Sequence, residues 1–409
     1  MLTRFICSIL LAGLISFNLS ALENHFNSSD SLKKKKNKEA ALKVNDTTKL
    51  VPKKKLSFKD TLDQAFDMSD YLINMHGFVP WPAIISEPAL GNFGIGLALV
   101  WMSPKKSAKK GEQFHFPDIT AFAGMYTLNN TWGLGIMRQG TFPSIGMRYT
   151  VGLGYVDANL NFYREVPVVG EKEYLLNLKP FVVALDISEN LYKNKIFVGL
   201  RYQFMLMRIG HDFQNLPDSI FNKSTFDKNL GTLGPYFELD YRNTIFTPDK
   251  GFRFKTTYTL GRSWTGSDFN TDKIESFVNV FVMPVKRWVC GLKAAGTYVT
   301  DGAPFYYYPY IDMRCIPMQR YQGQGVISFE TEQRVDLGKN LRWSILGFVG
   351  VGKTFSDNKY MKDLTWHVAG GTGFRYLLAR LFRMRMGVDL AYGSGQLSYY
   401  IVLGHYWNR

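Results

Sequence analysis

The sequence predicts an all-β protein, a transmembrane antiparallel β-barrel of about sixteen strands preceded by a short N-terminal helix. Three observations carry that prediction. Strand-like runs alternate between apolar residues and polar or small ones with a period of two. These runs reach the roughly 9–11 residues that cross a bilayer at a tilt, whereas soluble sandwiches use strands of about 5–6. Composition is neither greasy nor polar, with 46% hydrophobic and 15% aromatic residues, 37 glycines and 23 tyrosines. A barrel that meets lipid with every second residue averages out this way.

The chain opens with Arg4, the apolar run "FICSILLAGLISF" and then "NLSALEN". This order matches a signal peptide over residues 1–21, cleaved near Ala21. The apolar run falls short of the ~20 residues of a spanning helix, and Cys7 lacks the small residues of a lipoprotein site. Removing the signal leaves Cys290 and Cys315, too few for a disulfide-built scaffold; whether they pair stays open. Residues 22–55 hold ten Lys against four Asp or Glu, a large share of the formal charge of +15. With almost no aromatics, this stretch reads as a disordered basic periplasmic arm, a solvated tether able to touch anionic lipid or peptidoglycan. Nucleic acid is not an expected partner of an exported chain.

Residues 56–91 form the lead-in. In "SFKDTLDQAFDMSDYLINMHG" the spacing of Leu62, Phe66 and Ile73 predicts a helix that Gly77 ends. Asp60, Asp63, Asp67 and Asp70 read as its charged face rather than as a calcium cluster, because no EF-hand loop is present. "FVPWPAIISEPALG" then reads as a proline-rich approach to the barrel, residues 92–409.

Strands are expected near 92–102, 116–126, 131–139, 144–163, 176–187, 195–207, 232–243, 251–262, 274–284, 287–299, 325–337, 341–354, 364–378, 382–393 and 396–407. The long 144–163 segment has room for two, which would give the even count of bacterial single-chain barrels. In "FRMRMGVDLAY", Phe382, Met384, Met386, Val388, Leu390 and Tyr392 are expected to face lipid, with Arg383, Arg385 and Asp389 facing the lumen. "ISFETEQRVDL" sets Ile327, Phe329, Val335 and Leu337 against Ser328, Glu330, Glu332, Arg334 and Asp336. "FRFKTTYTL" sets Phe252, Phe254, Tyr258 and Leu260 against Arg253, Lys255, Thr257 and Thr259.

One segment fits neither strand nor solvated loop. "APFYYYPYIDMRCIPMQRYQGQG", residues 303–325, carries five tyrosines, three prolines and two arginines. Within it, "YIDMRCIPMQRYQGQGVISFETEQR" resembles the long-loop motif of the bacterial surface antigen family, the BamA/TamA outer-membrane superfamily. "FELDYRNTIFTPDKGFRF" looks like that family's Asp-x-Arg, Pro, Gly hairpin, and "FDMSDYLINMHGFVPWPAIISEPALG" is similar to the lead-in of its short members without periplasmic (POTRA) domains. The resemblance runs from about Ser57 to Trp407. Two departures stand out: Cys315 replaces the motif glycine, and Gly350 stands where many members carry the Asp that partners the loop arginine.

The resemblance implies a loop folded back into the lumen, with Arg314, Cys315, Ile316, Pro317, Arg320, Tyr321 and Gly323 as its motif. It further implies that Arg314 pairs with wall carboxylates, for which Glu330, Glu332 and Asp389 are available. The location it implies is the outer membrane of a Gram-negative bacterium. The function it implies is help with inserting or translocating protein or lipid, at a seam between strands 92–102 and 396–407. Gly94, Gly96 and Gly404 would weaken that seam, with Trp407 at its end. A passive channel or structural barrel is the alternative. Outer-membrane lipid, an unidentified client and, during biogenesis, the barrel-assembly machinery are the expected partners; the machinery would read the aromatic end "YYIVLGHYWNR". No enzyme activity, cofactor or metal is expected. A membrane hydrolase would need a Ser–His pair, and neither His367, reading toward the lumen, nor His405, reading toward lipid, has a nucleophile at hand in the sequence.

Overall fold

The computed structural model describes residues 57–73, 77–103, 118–142, 145, 147–166, 170–192, 194–210, 227–356 and 365–408; the expected signal peptide and basic arm lie outside them. Sixteen antiparallel strands follow chain order in one sheet. They are β1 (Gly77–Ile85), β2 (Gly94–Ser103), β3 (Asp118–Thr127), β4 (Trp132–Thr141), β5 (Arg148–Val166), β6 (Gly170–Tyr192), β7 (Ile196–Ile209) and β8 (Asn229–Asp240). The second half comprises β9 (Gly251–Gly261), β10 (Thr271–Val285), β11 (Trp288–Val299), β12 (Gly325–Leu337), β13 (Trp343–Phe355), β14 (Trp366–Ala379), β15 (Met384–Gly393) and β16 (Gln396–Leu403). Each strand pairs with the next, and no register joins β16 back to β1. The result is a nearly closed transmembrane barrel with one seam.

The even count arises differently from the sequence expectation. The segment beginning at 144 is a single strand, β5, and the sixteenth strand is the proline-rich lead-in itself, β1. Proline lacks an N–H and is admitted to sheets at edges. Pro80 and Pro82 are two residues apart, so their missing donors point the same way. Because β1 pairs with β2 at all nine positions, that side is the free edge facing β16.

The expected long helix is shortened to α1 (Ser69–Ile73). Before it, residues 59–66 make a tight turn closed by a Lys59–Phe66 bridge. The Asp60 and Asp63 carboxylates accept the Leu62 and Ala65 N–H groups at 2.9 and 3.1 Å. Such local side-chain turns compete with helix for the same backbone groups.

Alternation holds through β12, where Phe329 and Val335 are exposed and Ser328, Glu330, Glu332, Arg334 and Asp336 are buried. It fails at the start of β15. Met386, Leu390 and Tyr392 face outward as expected, but Phe382 and Met384 are buried, and Arg383 lies exposed in the turn, 2.7 Å from Asp249. Both buried side chains lie at the turn end, where Leu72 of α1, Ile245 and Phe246 pack over them, beside a bulge in β14 at Leu377–Ala379.

The core lies inside the barrel. Phe305, Tyr306, Tyr307 and Tyr308 of the β11–β12 loop pack with an apolar inner wall that includes Ala123 of β3, Leu176 of β6 and Met207 of β7. The loop tip packs with Phe348, Tyr400 and Tyr406. A third cluster, Leu72 of α1 with Ile245, Phe246, Phe382 and Met384, lies at the opposite end, where the β8–β9 and β14–β15 turns are.

Candidate functional site

The β11–β12 loop leaves the barrel rim at Val299 and turns back into the lumen as a narrow hairpin. Ile311 N–H donates to the Tyr321 carbonyl at 3.1 Å, and Gly323 N–H to the Pro309 carbonyl at 3.1 Å. Bare positions on β13 admit the tip. A Cβ on Gly350 would lie 2.8 Å from Met313 Sδ and from Glu330 Cγ, and one on Gly352 would lie 2.6 Å from Ile311 Cγ2. No room is left for an aspartate at 350. This is the physical counterpart of the departure noted above: the loop side chain occupies that space, and the carboxylates come from other strands.

Arg314 sits at the centre, 1% exposed. Its Nη1 donates to Asp389 Oδ2 at 2.8 Å and its Nη2 to Glu332 Oε2 at 2.8 Å. Phe348 and Tyr406 place their rings 3.5 and 4.6 Å from the guanidinium carbon. Asp389 is shared with Arg375, whose two Nη groups reach it at 2.5 and 2.9 Å. Glu332 is shared with His405 at 3.2 Å. A buried cation is tolerable only when paired and hydrogen-bonded this closely. Of the three expected partners, Asp389 and Glu332 hold Arg314, whereas Glu330 is held by Lys293 at 2.7 Å.

The rest of the motif locks the tip in place. Cys315 adopts φ +65°, the left-handed region that favours the glycine it replaces. Tyr400 Oη accepts its N–H at 2.7 Å, and its Sγ donates to the Ala391 carbonyl at 3.1 Å. Cys290 and Cys315 are both free thiols. Ile316 is buried beside Cys315, and Pro317 accepts the Arg320 N–H at the following turn. Arg320 donates to the Ser394 carbonyl at 3.0 Å and lies over Tyr163. Tyr321 stacks on His367 at 3.5 Å, which puts that histidine inside the barrel as expected.

The residues assigned to the seam lie elsewhere. Gly94 and Gly96 belong to β2, which is paired on both sides, to β1 and β3. Gly404, at φ +79°, ends β16 and turns the following residues inward. His405 is therefore in the lumen rather than facing lipid, and Trp407 is buried against Phe281 at 5.8 Å. Sequence reading missed Arg375, Phe348, Tyr400 and Tyr406. Arg375 carried a signal, as the one guanidinium on the small-residue face of "AGGTGFRY"; Tyr406 lies beyond its strand and carried none.

A second ionic cluster fastens the lead-in to the turn end. Arg342 donates to both Asp63 oxygens at 2.8 Å, to Asp67 at 3.1 Å and to Asp60. Arg380 adds bonds to Asp63 at 2.8 Å and to Asp60. These carboxylates thus clamp arginines. The hydrogen bond from Arg342 holds the Asp63 carboxyl well below its ordinary 3.8. Burial raises Asp60, but Leu62 N–H, Arg380 and Arg342 together leave it lowered as well. A depressed carboxylate stabilises the fold above its unfolded pKa and loses that contribution as pH falls through the folded value. The lead-in is therefore expected to stay docked at pH 5 and to detach only below about pH 4, as limited proteolysis across a pH series would read. Release at pH 6 would show that the clamp does not hold it.

No protein-family model matches the chain, and no characterised protein matches it by sequence. Solved structures do match it in fold. The chain is similar to BamA from Haemophilus ducreyi lacking POTRA domains 1–3, at TM-score 0.55 and 11% identity, over 80% of this chain and 69% of that one. It is also similar to CdiB from Escherichia coli, at TM-score 0.51 and 9% identity, over 79% of this chain and 61% of that one. At these identities the likeness is one of fold, and the fold is that of the outer-membrane barrels of Gram-negative bacteria.

Proposed function

We propose that the chain is an outer-membrane barrel of the BamA/TamA type that helps protein or lipid into the membrane by parting β1 from β16. The observation that carries this reading is the seam. The two strands share no ladder, and Pro80 and Pro82 remove two of the four donors, at 78, 80, 82 and 84, that the free edge of β1 would present. The lumen favours this reading over a passive channel, because the loop aromatics pack against the inner wall. On this reading the turn end is periplasmic, no enzymatic step is involved, and the partners are membrane lipid and a client.

Restoring the donors tests the seam. Both prolines point outward, so Pro80→Val with Pro82→Val keeps an apolar lipid face and adds two N–H groups. The variant is expected to zip the seam, with slow hydrogen exchange at residues 80 and 82 and a higher temperature for loss of the folded gel band. In cells that depend on it, the outer-membrane proteome and lipid profile should shift toward those of a deletion strain. A deletion strain with an unchanged proteome and lipid profile, altered only in solute entry, would replace the reading with a passive channel.

A further inference from the structure

The lead-in has two sides. Asp60, Asp63 and Asp67 turn toward Arg342 and Arg380, while Phe58, Leu62 and Phe66 turn away, at 44%, 78% and 50% exposure. The Phe58 and Phe66 rings lie parallel, 6.1 Å apart, and Tyr71 joins Phe58 at 6.0 Å. Three large apolar side chains within nine residues, held rigidly and left exposed, mark a surface built to meet a partner.

Its position identifies that partner. Tyr376 Oη donates to the Phe66 carbonyl at 3.0 Å, and Met68 N–H donates to the Leu378 carbonyl at 2.8 Å. Tyr376 lies on the outer face of β14 and packs against Trp343, 5.0 Å away and 52% exposed, with Phe374 beside them. Such an exposed ring cluster near a strand end matches the aromatic girdle that barrels place at a membrane–water interface. The lead-in backbone is thus bonded to the outward-facing side of β14, with its charged side turned toward Arg342 and Arg380. The sequence also sets Lys53, Lys54 and Lys55 directly before it, a charge suited to anionic headgroups.

We propose that residues 58–66 form an interfacial anchor that inserts Phe58, Leu62 and Phe66 into the leaflet at the turn end of the barrel. Its partner is a phospholipid surface, and it fixes the lead-in against the membrane before the chain enters β1. The arrangement is separate from the seam and stands whether or not the seam parts.

The test is collision accessibility of a nitroxide on the full chain, folded in vesicles of phosphatidylethanolamine and phosphatidylglycerol. Labels go one at a time on Phe58→Cys, Leu62→Cys, Phe66→Cys and Lys59→Cys, in a Cys290→Ser background; Cys315 is buried. Oxygen concentrates in lipid and a nickel chelate stays in water. The ratio of oxygen to nickel collisions is expected to be several-fold higher at 58, 62 and 66 than at 59. If either phenylalanine variant fails to give the heat-modifiable folded band, Leu62→Cys carries the test, because Leu62 is the most exposed of the three. A nickel-dominated label at 62 would overturn the proposal. So would a label at 62 reached by neither reagent, which would mean that protein covers the patch.

Discussion

Replacing Arg314 with alanine is expected to cost about 3–5 kcal/mol, the loss that follows when one partner of a buried ion pair is removed. The lower end is favoured, because Asp389 keeps Arg375 and Glu332 keeps His405. Double-mutant cycles, read from urea titrations in lipid vesicles, should find strong coupling of Arg314 to Asp389→Asn and Glu332→Gln. Coupling to Glu330→Gln should be weak, since that carboxylate belongs to Lys293. Arg314→Lys should rescue only in part, because a single ammonium cannot span two carboxylates on β12 and β15 as the guanidinium fork does. Loosening of the tip should also raise single-channel conductance. Zero coupling to both Asp389 and Glu332 would show that the pairing contributes nothing.

An equally large loss is expected from the smallest possible change on β14. A Cβ at Gly373 would fall 2.1 Å from Asp389 Oδ1 and 2.7 Å from the Val388 carbonyl. Gly373→Ala must therefore displace the carboxylate that serves both Arg314 and Arg375. The cost combines overpacking, about 1–3 kcal/mol, with part of the stranded-charge penalty of about 3–5 kcal/mol. Because the second part acts through Arg314, the same substitution should cost less in an Arg314→Ala background. Equal costs in the two backgrounds would confine the effect to backbone crowding.

The barrel was legible because its wall obeys a period of two, and β12 could be read residue by residue. The misses have local causes. Prolines hid β1, because a sequence does not say which edge a strand leaves unpaired. Asp60 and Asp63 replaced helix with side-chain turns. Packing against α1 and the β8–β9 turn buried Phe382 and Met384, and Gly404 turned His405 into the lumen. At the site, Glu330 and Glu332 are indistinguishable by period, since both point inward. Register decides between them: Lys293 stands directly opposite Glu330 and takes it, leaving Glu332 for the loop.

The chain of charges from Arg375 through Asp389, Arg314 and Glu332 to His405 draws on β14, β15, the β11–β12 loop, β12 and the segment after β16. Arg375–Asp389 spans only the β14–β15 hairpin, but Arg314–Asp389 and Glu332–His405 join residues distant in sequence and need the last third of the wall assembled around the tip. These long-range links are therefore expected to form on the downhill side of the folding barrier. Interactions absent from the transition state set the rate of unfolding and leave the rate of folding almost untouched. On that expectation Arg314 and its distant partners would act as a latch that engages last. Damage to them shortens the lifetime of the finished barrel without slowing its formation, so such variants would reach the membrane at the normal rate and be lost from it sooner.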